Sequence, residues 1–132
     1  MPWVMLCESC GFIRFFDEDT AIEAIKDEAV RHLMKHGIHY YRPTPRFVII
    51  HAVYMEPEKY WLYKGAFYSR SADGRFRRGF VIRHVRNAIR LTREEDKKSP
   101  RLIEFTGYFD YLKGRGIVEM CWGGERSIIA EI

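Results

Sequence analysis

Residues 7–37 read CESCGFIRFFDEDTAIEAIKDEAVRHLMKHG, and this stretch decides how the chain begins to fold. Cys7 and Cys10 form a C-x2-C knuckle closed by Gly11. Phe12, Ile13, Phe15 and Phe16 then read as a short strand. Asp17, Glu18, Asp19 and Thr20 supply N-cap chemistry and acids for a first helical turn. Residues 21–36 are good helix formers, and Gly37 reads as the C-cap. Ile22, Ile25, Ala29 and Leu33 recur at spacings of three and four, which gives the helix one apolar face. His32 and His36, four apart, border that face and point to the same side.

The lengths allow a closed site. An extended chain leaving the knuckle travels roughly 25–30 Å before the helix starts, and the helix returns by about 20 Å at His32. Two thiolates and two imidazoles can therefore meet, the donor set that Zn2+ takes in tetrahedral structural sites. We expect zinc on Cys7, Cys10, His32 and His36, with His39 as a possible replacement for His36 and a redox dithiol as the alternative use of the knuckle. Cys121, far along the chain, is expected to be a buried, inert thiol.

Knuckle, glycine, aromatic and a helix bearing His-x3-His together resemble a two-Cys, two-His zinc finger over residues 5–37. The spacer from Cys10 to His32 holds 21 residues, where the family has about twelve, so the helix must be longer. A DNA-reading finger presents basic and amide side chains early in that helix. Here Asp19, Glu23, Asp27 and Glu28 occupy it and repel phosphate. The resemblance thus implies a metal-stapled module rather than a base reader.

The rest of the chain has a different character. Residues 1–41 carry four basic and seven acidic side chains, residues 42–93 twelve and three, and residues 94–132 six and eight. The middle third thus holds the whole positive excess of a chain with net charge +4, which points to a polyanionic partner. Pro43 and Pro45 mark the entry to this part, and we expect two units, 1–41 and 42–132. Strands are expected over residues 46–55, 59–69, 75–82, 102–111, 117–122 and 127–132, with a hairpin turn at Ala72-Asp73-Gly74. The fold class expected is α+β: a short strand and long helix, then an antiparallel β-meander or partly open barrel with one helix, read over residues 83–96 with a strand there as the alternative.

That last helix would line up Arg83, Arg86, Arg90 and Arg93, and Arg70, Arg75, Arg77 and Arg78 surround the second hairpin. The planar guanidinium donates paired hydrogen bonds to phosphate. Tyr63, Phe67, Tyr68 and Phe76 interleave aromatic rings among these charges. DNA or RNA is the partner expected, held mainly through phosphates. A homo-oligomeric interaction protein, whose arginines pair with the acids of residues 1–41, is the first alternative. A small hydrolase using His51 or His84 beside acids of the last third is the second. Nucleophile-elbow, Walker-type and dinucleotide motifs are all missing, so the sequence nominates no catalytic residue.

No apolar run approaches the roughly 18 residues of a membrane span, and an odd cysteine count suits a reducing compartment. An intracellular location is therefore expected, the cytoplasm or a host's cytoplasm. The chain has no Gln and a single Asn, Asn87. Loss of thermolabile amides in favour of ion-pairing residues points to a protein of a hyperthermophilic archaeon or its virus.

Overall fold

The computed structural model describes residues 2–39, 45–72, 83, 86, 87, 89, 90 and 101–131. Six strands form one open antiparallel sheet: β1 (Trp3–Cys7), β2 (Ile13–Phe16), β3 (Arg46–Tyr54), β4 (Leu102–Asp110), β5 (Arg115–Trp122) and β6 (Glu125–Glu131). Their order across the sheet is β2-β1-β3-β4-β5-β6. Two helices, α1 (Ile22–His39) and α2 (Pro57–Ala72), complete the described elements. The fold is α+β, as the hydrophobic pattern implies.

β1 is the element the sequence reading passed over. Its five residues, WVMLC, are all buried, and such a run carries no alternation to betray a strand. It pairs with β2 on one side and β3 on the other, so that Leu6 faces Ile13 and His51. The strands before and after residue 41 therefore share one sheet.

Alternation sorts the side chains into two layers. Trp3, Met5 and Cys7 of β1, Val48, Ile50 and Ala52 of β3, and Ile103, Phe105 and Phe109 of β4 point to one face. There they meet Ile25, Ala29 and Leu33, the apolar stripe expected of α1. Val4, Leu6 and Val53 point to the opposite face and pack with Met55, Tyr60 of α2 and Ile89.

Two elements differ from expectation. Residues 57–72 form a helix where a strand is expected over 59–69, while Asp73 and Gly74 of the expected hairpin turn and the strand expected over 75–82 lie outside the described residues. Pro57 takes the first helical position, where its missing N–H costs nothing, and Glu58 sits in the first turn. The Tyr60 N–H donates to the Glu56 carbonyl at 2.9 Å, closing that turn. Start signals thus override the β preference of the aromatic residues that follow.

α1 also runs on through Gly37 to His39. Gly37 is a contact glycine rather than a cap. A Cβ there would lie 2.6 Å from the Phe109 ring, and one at Gly107 would lie 2.8 Å from the ring's other side. Phe109 is therefore held between two backbones. The Tyr111 hydroxyl donates to the His36 carbonyl at 3.2 Å, fixing the same turn of α1 to the end of β4.

Candidate metal centre

The knuckle is shaped by its own backbone. The Cys7 N–H donates to the Phe12 carbonyl and the Gly11 N–H to the Cys7 carbonyl, each at 2.9 Å. Gly11 adopts a φ of 74°, a left-handed conformation that disfavours any side chain. The Glu8 N–H, between the two cysteines, donates to the Ile49 carbonyl and ties the knuckle to β3. From Gly11 the chain enters β2, turns at residues 17–20, and returns along α1.

That return brings the four expected ligands together. Cys10 Sγ lies 3.2 Å from His32 Nε2 and Cys7 Sγ 3.5 Å from His36 Nε2. The two Nε2 atoms are 3.1 Å apart. All four donor atoms lie within 4.8 Å of one another. A tetrahedral ion with Zn–S and Zn–N bonds of ordinary length has edges of about 3.3–3.8 Å. The three separations given above come near those edges and the others stay within 4.8 Å, and this is the one group of three or more such residues able to hold a metal ion among those described. His39 ends α1, and its side chain falls outside the described residues.

Burial sets the protonation of the ligands. It pushes the Cys7 thiol up to about 11, against the Cys10 and Ser9 amides, which favour the thiolate, and with the neighbouring Cys10 raising it further. Burial likewise holds His36 down to about 4, helped by the nearby charges of His32 and Arg46. His32 is lowered by burial and by Lys35, with Glu28 opposing. The imidazoles are thus neutral and ready to ligate, whereas Cys7 must give up a proton when a cation arrives.

Sequence reasoning missed the residues that support the ligands. The Phe12 ring stacks on His32, with centroids 4.5 Å apart and planes at 18°. Glu8 accepts a hydrogen bond from His51 Nε2 at 2.9 Å, and Glu104 Oε1 stands 3.7 Å from the other ring nitrogen. Phe12 could have been found from its place directly after the knuckle. The Glu8–His51 pair depends on β1 lying beside β3, which no local pattern announces. His51, its side chain 6% exposed, thus stands between Glu8 and Glu104, an acid of the last third, and its Nδ1 is buried without a hydrogen-bond partner.

Of the eight arginines expected to contact nucleic acid, three have described surroundings. Arg83, Arg86 and Arg90 are exposed, at helical positions, on the sheet face that buries Ile89. Arg86 Nε approaches Glu8 Oε1 at 4.0 Å. Arg70 lies in α2, with its side chain outside the described residues, as are Arg75, Arg77, Arg78 and Arg93 altogether. Cys121 is half-buried rather than enclosed, opposite Glu104 on β4. No described helix is long and apolar enough to cross a membrane.

The geometry defines a class of site, a two-Cys, two-His cluster able to hold a metal ion. Compared with known proteins, the chain matches no family profile, no curated protein and no solved structure.

Proposed function

We propose that the protein is a small zinc-binding protein that binds DNA or RNA, with the metal as a structural staple and arginines as phosphate contacts. One observation carries the zinc assignment: four N and S donors from two separate segments converge within 4.8 Å of one another, the donor set and number of a tetrahedral zinc site. All four positions are filled by protein, which suits a structural ion rather than a catalytic one with an open position. The staple joins the knuckle after β1 to the last turns of α1.

Protein purified without added metal should carry one zinc per chain by elemental analysis, and Cys7→Ser should lose it. A wild-type chain without zinc would refute the assignment.

The nucleic-acid part of the proposal is supported by the charge of residues 42–93 and by the exposed arginines at 83, 86 and 90. Such binding is mainly electrostatic and weakens steeply with salt. Replacing both Arg86 and Arg90 with Ala should lower affinity and reduce the slope of log K against log salt by about 2. An unchanged slope would remove these residues from the interface.

A further inference from the structure

The chain has three tryptophans, and they are treated differently. Trp3 is in the core, and Trp122 is half-buried with its Nε1 enclosed. Trp61, on the first turns of α2, is 57% exposed, and its neighbour Leu62 is 68% exposed. Burying a large apolar side chain favours folding, so this ring contributes to folding less than it could. It meets the buried Tyr60 edge-on, with centroids 5.4 Å apart. Tyr60 is anchored in turn by its hydroxyl, which donates to the Phe16 carbonyl at 3.0 Å.

One cation stands over this ring, and Glu58 lies a turn before it on the helix. Lys64 Nζ lies 5.0 Å from the Trp61 centroid and 5.5 Å from that of Tyr60. Tyr60 and Ile89 belong to one buried cluster, so α2 and the helical positions bearing Arg83, Arg86 and Arg90 cover the same face of the sheet. An exposed indole with a lysine over its face suits a ligand that offers flat π-faces and phosphates together. Duplex DNA hides its base faces in the stack, whereas a single strand presents them.

We propose that Trp61 is a base-stacking platform for single-stranded nucleic acid, with Lys64 neutralising the adjoining phosphate. This rests on the nucleic-acid reading above and names the form of nucleic acid preferred. The zinc-loaded protein is titrated with an oligothymidylate of about twelve nucleotides and with a duplex of the same length. Tryptophan emission and the anisotropy of end-labelled DNA are followed. The single strand should bind more tightly than the duplex and quench the emission. Trp61→Ala should weaken single-strand binding by about 5- to 100-fold, Trp61→Phe should retain most of it, and duplex affinity should not change. The ring is exposed, so an unchanged melting temperature of the variants serves as the folding control.

Equal single-strand affinity for wild type and Trp61→Ala, with DNA still bound, would overturn the platform and leave the broader reading standing. Binding of neither DNA, nor of an oligouridylate of the same length, would end both. Self-association lost in Trp61→Ala, with no effect on the oligonucleotide, would assign this surface to a second copy of the chain instead.

Discussion

At the scale of single residues, the ligands are prepared for a metal by being denied water. Burial keeps His36 neutral in the folded chain down to about pH 4, while an unfolded histidine takes a proton near 6.5. Without metal, the unfolded state therefore binds more protons across that window, and stability falls as pH drops through it. His32 acts in the same direction. Urea midpoints in chelator should be lower at pH ~4.5 than at pH ~7, and His36→Phe should flatten the difference. Equal midpoints in the wild type would contradict the neutral-imidazole account. At neutral pH, zinc uptake should release protons from the cysteine ligands and none from the histidines, which calorimetry in buffers of differing ionisation enthalpy can count.

At the scale of elements, the comparison of α1 with α2 shows what a sequence makes visible. α1 was legible because three independent signals agreed: the acidic start, the stripe of Ile25, Ala29 and Leu33, and histidines four apart. Its end was misjudged because Gly37 has two possible uses, and only the fold shows that Phe109 needs the space. α2 was misread because Tyr60, Trp61 and Tyr63 favour strands locally, while its start signals are two residues long. The four ligands were legible since their geometry is largely local to one ββα unit, whereas β1's place beside β3 spans more than forty residues. Gly37 offers a sharp test. Gly→Ala inside a helix ordinarily stabilises by up to about 1 kcal/mol. Here the added methyl meets a ring backed by Gly107, and overpacking of this kind costs about 1–3 kcal/mol. Gly37→Ala should therefore lower the denaturation midpoint, and a rise would show that Phe109 can yield.

At the scale of the whole molecule, the sheet divides the labour. The metal cluster, the core of α1 and Cys7 lie on one face; Trp61, Lys64 and the exposed arginines belong to the elements that cover the other. Metal should therefore act on nucleic-acid binding through fold stability rather than by contact. Zinc at a thousandfold over its Kd adds about 4 kcal/mol, so chelation should lower the melting temperature by roughly 10–15 °C. A shift of less than a few degrees would mean that the staple is not structural. β6, at the far end of the described sheet from the metal, carries a different burden. Among the described residues no strand pairs with its outer side, where Ile128 is exposed, and an open edge of this kind is the arrangement from which fibrils grow. Glu125, Arg126 and Glu131 stand along that rim as gatekeepers, and a bulge at Val118/Glu119 twists the strand beneath it. Among the described residues, what guards this edge against self-pairing is thus three charged side chains at the opposite end of the sheet from the four clustered ligands.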